Sequence, residues 1–456
     1  MKEEVVVRDN LLRRVSKRLT VSMDRYLPDA FIFALILSFV VFLMGMIIAR
    51  ETPFNMVLHW YSGFWNFLAF SMQMVLIIVT GHCIAQTKLV SGWISAIAQM
   101  PKNPKGAVMT TVLVAALAGW LNWGLGLVVG ALIARQMAIY QKKVDFAVLV
   151  AAAYSGAFAG IFGLSITAPL LVNTPGHFLE EQLGLIPVTM TILNPVVLVS
   201  VVAMAILMAI AFRYMTPTRD EEIYCPDLSK PGEGGAAEAP PQKEETSPAK
   251  SLENSVIITA IVGIAGLSYI IYHFYTRGVD LDINIVNFTL LTLGIILHKR
   301  PINYVRAVAE SVKAVYGVIL QFPFYAGIMG MMAGSGLITI IANWIVGFST
   351  PVTFPIFSFI SVGLVNFFVP SAGGQWMVQG PILVEAGQAL GVVDFLTVNA
   401  YTYGDLSTNL IQPFWALPVL GICNLQMKDI WGYCFISFLI YCAVSVISLL
   451  LQVGIY

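Results

Sequence analysis

Charge is scarce in this 456-residue chain. Asp, Glu, Lys and Arg make up 11% of it and hydrophobic residues 58%, whereas an ordinary soluble domain carries about 25% charged residues. That shortage excludes a soluble globule and points to a membrane protein. Cysteine is equally sparse. Cys83, Cys225, Cys423, Cys434 and Cys442 are odd in number, form no Cys-x-x-Cys pair and lie mostly in apolar stretches, so neither a disulfide framework nor a metal cluster is expected. The five histidines (His59, His82, His177, His273, His298) show no His-x-x-x-His spacing, which removes the usual zinc pattern. Gly124-x-Gly126 with Gly130 follows no strand and is not a dinucleotide fingerprint. No cofactor, metal or nucleic-acid partner is expected, and the spans offer no nucleophile and base at suggestive spacing, so the chain does not read as an enzyme.

What the chain has in abundance is long apolar runs. About 20 residues of helix cross a bilayer core, and on that criterion spans are expected near Asp29–Ala49, Asn66–Gln86, Asp145–Asn173, Thr189–Phe212, Ser255–Tyr275, Ile283–Leu297, Val315–Ala333, Phe395–Leu420 and Ile430–Val453. The first run lacks a small-residue cleavage site and is expected to remain as a span. Residues 216–253 are rich in Pro, Gly, Glu, Lys and Ser, a composition that cannot bury a core and reads as a flexible linker.

Two further apolar stretches do not fit as simple spans. Gly106–Tyr140 has Lys102 and Lys105 before it, and Arg135, Lys142 and Lys143 at its far end. The positive-inside rule puts both ends in the cytoplasm, so the stretch reads as a hairpin dipping into the membrane, with Asn122-Trp123-Gly124-Leu125-Gly126 at its tip. Pro355–Leu390 has Pro370-Ser371-Ala372-Gly373-Gly374 at its middle and reads as a second hairpin. With the N-terminus cytoplasmic and the C-terminus outside, only Arg50 and Arg277 of the 25 Lys and Arg fall on the outer side.

Each half then shows the same order of parts: two spans, an amphipathic connector, a hairpin, a span interrupted by polar residues, and a last span. The expected architecture is an all-α polytopic membrane protein of about nine spans plus two re-entrant hairpins, built from two inverted-topology repeats. A basic N-terminus (1–28) precedes the first repeat (29–215, hairpin 106–140, broken helix 145–173). The linker (216–253), a connecting span (254–276) and the second repeat (283–456, hairpin 355–390, broken helix 395–420) follow. Discontinuous helices in inverted repeats mark a midplane site for substrate and coupling ion. Unwound backbone is tolerated at that depth only where protein or a hydrated cavity surrounds it.

The candidate substrate-binding residues are therefore Asn122, Gly124 and Gly126 in the first hairpin, Ser165 and Thr167 in the first broken helix, Ser371, Gly373, Gly374 and Gln375 in the second hairpin, and Ser407, Thr408 and Asn409 in the second broken helix. Asn173 and Gln412 stand beside them. Free N–H groups at helix starts suit an anion, while hydroxyls and carbonyls suit a cation. Asp405, an acid within an apolar span, is the candidate for ion coupling. The bland alternative is that the glycines serve close packing, as in Gly156-x-x-x-Gly160 and Gly330-x-x-x-Gly334, and that hydroxyls bond back to their own helices. The aromatics Trp120, Trp123, Phe367, Phe368, Trp376, Phe414 and Trp415 flank the proposed site.

These residues resemble the short-chain fatty acid transporter family of bacterial acetoacetate and butyrate uptake proteins. The likeness rests on Asp24-Arg25-Tyr26-Leu27-Pro28-Asp29, Leu121-Asn122-Trp123-Gly124-Leu125-Gly126-Leu127, Ala152-Ala153-Tyr154-Ser155-Gly156, Leu164-Ser165, Pro370-Ser371-Ala372-Gly373-Gly374-Gln375-Trp376 and Gly404-Asp405. It covers nearly the whole chain outside the linker, and the family is similar to a wider group of inverted-repeat carboxylate carriers. The resemblance implies uptake of a short monocarboxylate across a bacterial inner membrane. In one place the sequence departs from the resemblance: a Trp-His-Gly-Gly run often precedes the first-half Leu-Ser in the family, and here the run is Gly160-Ile161-Phe162-Gly163, without the imidazole.

The residues agree on substrate charge. No Lys or Arg lies inside an expected span, so dipoles and hydroxyls would face a single carboxylate. The expected partners are that small carboxylate, a coupling proton or sodium ion, and the lipid bilayer, with homo-oligomerisation left open. A sodium-coupled dicarboxylate or citrate carrier, a sodium/proton exchanger and a channel are the rival transport readings.

Overall fold

The computed structural model describes residues 30–141, 143–217, 223, 247–312, 315–366 and 369–456, and among them every regular element is helical. The basic segment 1–28, with the Asp24–Asp29 motif, and most of the linker 216–253 lie outside the described residues, as do Phe367, Phe368 and the side chains of Pro413 and Phe414. At the linker's end a short helix, Pro248–Glu253, starts on a Ser247 cap.

The first half runs α1 (Ala30–Ile47), α2 (Pro53–Phe64), α3 (Leu68–Ala85), α4 (Lys88–Ala98), α5 (Pro104–Leu121), α6 (Trp123–Tyr140), α7 (Phe146–Gly160), α8 (Thr167–Leu171), α9 (Glu180–Leu183) and α10 (Pro195–Met215). After α11 (Pro248–Glu253) and α12 (Val256–Arg277), the second half runs α13 (Ile283–His298), α14 (Pro301–Ser311), α15 (Tyr316–Gly334), α16 (Leu337–Phe348), α17 (Phe354–Asn366), α18 (Ala372–Ala389), α19 (Asp394–Asn409), α20 (Pro413–Cys423) and α21 (Met427–Ile455). Among the described residues seven helices are long and apolar enough to cross a membrane, and α5 and α6 are two of them. The chain is an integral membrane protein.

Local chemistry starts many of these helices. Asn103, Asp145 and Asn194 each accept a backbone N–H from the first turn of α5, α7 and α10. Pro104 and Pro195 follow two of these caps, where the missing N–H costs nothing. The short amphipathic helices α2 and α14 were not read from the sequence. With them, the two halves share one order: helix, short helix, helix, short helix, helix pair, broken helix, last helix.

Small residues decide how closely the helices approach. A Cβ on Gly156 would meet the carbonyl of Val112, and one on Gly160 that of Ala116. Helix α7 therefore lies on the α5 backbone. Gly330 and Gly334 face His59 of α2 in the same way. Both Gly-x-x-x-Gly runs are thus occupied by contacts within the chain. Gly160→Ala is expected to cost about 1–3 kcal/mol through overpacking, whereas Gly347→Ala, whose Cβ would meet nothing within 4 Å, should be neutral or slightly stabilising. Thermal unfolding of the two variants in detergent checks this.

Polar bonds tie segments that are distant along the chain. Asn173 Nδ2 donates to Asp280 Oδ1 (2.9 Å), Gln182 Nε2 to Gln388 Oε1 (3.3 Å) and Asn194 Nδ2 to Tyr456 Oη (3.3 Å). Arg135 donates to the Ile422 carbonyl (2.9 Å), and His298 Nε2 lies 2.9 Å from the Cys83 carbonyl.

Candidate functional site

The site grows from two places where helices stop. The first is the junction of α5 and α6. Asn122 adopts an extended conformation between them, and its Oδ1 accepts from Leu125 N at 2.9 Å. Its Nδ2 reaches the Ile77 carbonyl of α3 at 3.4 Å. Helix α7 ends at Gly160, and the chain runs irregularly to Thr167. This break and the hairpin tip satisfy each other: Trp123 N donates to Ser165 Oγ at 2.9 Å, and Leu164 N to the Trp120 carbonyl at 2.7 Å. Buried unwound backbone persists here because each opening supplies the other's partner. Asn122 and Ser165 are wholly buried. Ser165→Ala would orphan the Trp123 N–H, a loss of about 1–3 kcal/mol; Ser165→Thr, which keeps the hydroxyl, should recover part of the lost thermal stability.

The second place lies where α17, α18 and α19 meet. Ser371 Oγ accepts from Gly374 N at 3.3 Å and so caps α18. Gln375 donates to the Val362 carbonyl (2.8 Å) and to Gln379 Oε1 (2.9 Å). Asn366, at the end of α17, donates to the Asp405 carbonyl (2.9 Å), Thr408 Oγ1 (2.9 Å) and Asn409 Oδ1 (2.6 Å), and Gln412 Nε2 donates to the Asn366 carbonyl (3.2 Å). Ser407 Oγ bonds back to Gly404 and Thr408 Oγ1 reaches Gly363. Asp405 is 1% exposed. Its Oδ1 has no hydrogen-bond partner, and neither do Asn366 Oδ1, Gln375 Oε1 and Gln412 Oε1. Four buried acceptor oxygens without donors mark this end of the site as electron-rich.

The broken helices bring the two places together across the halves. Tyr154 of α7 donates its hydroxyl to the Asn409 carbonyl at 2.5 Å. Trp123 packs edge-on against Trp415 with centroids 5.2 Å apart, and Phe162 against Tyr403 at 4.9 Å. Trp376 is buried against Tyr401 at 4.7 Å.

Other candidates have plainer surroundings. A Cβ on Gly126 would strike Gly119 across the α5–α6 pair, and those on Gly373 and Gly374 would meet the rings of Phe70, Phe322 and Tyr325. Gly124 lies near Asn122 Oδ1. Thr167 is buried at the start of α8. Asn173 is tied to Asp280 and Leu281, away from the breaks. Asn366 was not singled out from the sequence. The signal available was one carboxamide closing an apolar helix just before the polar Pro370–Gln375 tip. Among the described residues no group of three or more His, Cys, Asp or Glu could hold a metal.

A family described as short chain fatty acid transporter matches residues 11–453. The chain belongs to that family. Its relatives include proteins named "Putative short-chain fatty acid transporter" in Escherichia coli (strain K12) and Haemophilus influenzae (strain ATCC 51907 / DSM 11121 / KW20 / Rd). The first is 38% identical over 441 residues, spanning 97% of this chain and all of the relative. The second is 36% identical over 447 residues, spanning 96% and 99%. Members of this family are transporters, not enzymes. Among solved structures, the Alcanivorax borkumensis YdaH transporter shares the fold: TM-score 0.59 and 14% identity, over 94% of this chain and 98% of that one.

Proposed function

We propose that this family member is a secondary active carrier that imports short-chain monocarboxylates such as butyrate or acetoacetate across the bacterial inner membrane, coupled to a proton and working by alternating access. The observation that carries the coupling is Asp405, a buried acid whose Oδ1 lacks a donor, placed on a helix that breaks beside the facing half. An isolated carboxylate in such surroundings is costly, so binding a proton there offers an energetic reason to load before moving. Residues 29–215 and 283–456 are the two repeats in this reading, with opposite orientation. The hairpins 106–140 and 355–390 re-enter from opposite faces, residues 216–253 join the repeats in the cytoplasm, and the C-terminus lies outside. Asn122, Ser165, Ser371, Gln375, Thr408 and Asn409 hold the substrate between the broken helices, with Gly124, Gly126, Thr167, Gly373, Gly374 and Ser407 shaping the same space.

A sodium ion is the second reading, because the carboxamide oxygens of Asn366, Gln375 and Gln412, on the segments that meet around α17 and α19, lack donors as Asp405 Oδ1 does. Oxygen ligands of this kind suit a hard cation. Initial rates of radiolabelled butyrate uptake into proteoliposomes, corrected by protein-free liposomes because the neutral acid crosses bilayers unaided, separate the two. One unit of imposed pH gradient is worth about tenfold accumulation for one proton per substrate, with no dependence on sodium. Uptake that follows a sodium gradient at equal pH selects the second reading. Folded protein that moves butyrate under neither gradient rejects both.

A further inference from the structure

Between the start of α3 and the loop that follows α8 lies a cavity of about 190 Å³, lined by Asn66, Phe70, Gln73, Thr174, His177 and Phe178 among others. Its walls are of two kinds. Phe178 stands edge-on to Phe67 at 4.8 Å, and Phe70 stacks on Phe322 of α15 with centroids 5.8 Å apart. A Cβ on Gly373 would lie 3.0 Å from the Phe70 ring and 3.1 Å from that of Phe322. The ring pair is therefore the partition between this cavity and the tip of the second hairpin.

The polar wall carries no formal charge. Gln73 is positioned by its bond to Asn284 Oδ1 (2.8 Å), and Asn66 stands exposed at the rim. His177 Nδ1 accepts from Leu179 N at 3.3 Å and Nε2 faces the Gly184 carbonyl at 3.0 Å. Those bonds fix the neutral tautomer with its proton on Nε2. Burial lowers the His177 pKa, which keeps the ring in that form.

We propose that this cavity is a loading site for short monocarboxylates, in which the acyl tail lies on Phe70 and Phe178 and the carboxyl group meets the Asn66 and Gln73 carboxamides. The proposal rests on the carrier reading above and adds to it a second, shallower station outside the broken helices. Size supports it. At about 30 Å³ per water-sized unit, the volume holds about six heavy atoms, the number in butyrate. Chemistry supports it too, because a carboxamide donates to a carboxylate and accepts from a protonated acid. The site would hold either form, and release toward the second hairpin needs only the Phe70–Phe322 partition to part.

Ala69→Cys places a thiol on the cavity wall; Cys83, Cys423 and Cys434 are buried, and the half-buried Cys442 together with Cys225 sets the background rate. Thiol modification of this variant in lipid nanodiscs is measured with and without butyrate, with the unsubstituted protein in parallel. Pro175→Cys, on the exposed rim of the same cavity, is the second reporter should Ala69→Cys fail to fold. Butyrate at ten times its dissociation constant is expected to slow modification about tenfold by mass action. An unchanged rate in the folded reporter, alongside normal butyrate uptake in proteoliposomes, overturns the loading site and leaves the carrier reading intact. Protection without uptake leaves the cavity a binding site and overturns the carrier reading. Absence of both overturns the two together.

Discussion

Asp405→Asn is expected to abolish gradient-driven accumulation of butyrate while leaving a folded protein at least as stable as the parent. The carboxyl group is almost wholly buried, and its Oδ1 receives no hydrogen bond. Tyr441 of α21 lies within electrostatic reach of it, and no Lys or Arg occurs between Asp394 and Cys423. An acid so placed must take up a proton or a cation to avoid burying bare charge. The amide has the same shape and cannot titrate, so it breaks the link between ion and substrate without opening a hole. The initial rate of accumulation should fall on the order of 100-fold, or about 2.7 kcal/mol in barrier terms. Exchange of labelled against unlabelled butyrate at equal concentrations should persist, since it moves no net ion. Thermal stability should hold or rise by about 0.5–2 kcal/mol, the usual gain when a functional strain is relieved. Parent-like accumulation would remove Asp405 from the coupling step; a variant that unfolds would make its role structural.

Asp405 was legible in the sequence because an acid in an apolar run is conspicuous without any knowledge of what surrounds it. The same holds for the hairpin tips, where Asn122 and Ser371 interrupt long apolar stretches and each caps the helix that follows. Partners were less legible. The Gly156-x-x-x-Gly160 pattern announces a close helix contact, but nothing in its spacing says that the partner is α5. Helices α2 and α14 escaped because each is short and mixes polar with apolar residues, so neither passes a length test for a span. Asn366 escaped for a different reason. Its importance lies in contacts 39 to 46 residues away along the chain, created when α17 packs on α19 through Gly363 and Gly404, and sequence spacing carries no trace of that packing.

Asn366 carries the second large prediction. Its amide nitrogen faces three oxygens, those of the Asp405 backbone, Thr408 and Asn409, at 2.6–2.9 Å. Two N–H bonds serve three acceptors, and a flipped amide would put oxygen against oxygen, so the orientation is set by the surroundings. The amide thereby fixes the end of α19 against α17 at the level where that helix breaks. Asn366→Ala leaves Asn409 Oδ1 buried without a donor, at about 1–3 kcal/mol, and takes from the Asp405 carbonyl the bond it accepts besides its own helix's N–H. A loss of about 1–3 kcal/mol follows, and uptake should fall on the order of tenfold or more as Thr408 and Asn409, proposed to hold the substrate, lose their register. Asn366→Asp separates geometry from mere occupancy. It preserves size but replaces a donor by acceptors, so near neutral pH it should be worse than the alanine, and it should recover in part at acid pH, where a protonated carboxyl regains one O–H to donate. Retention of parent-like thermal stability and uptake by Asn366→Ala would show that the break is held open by packing alone, with the carboxamide idle.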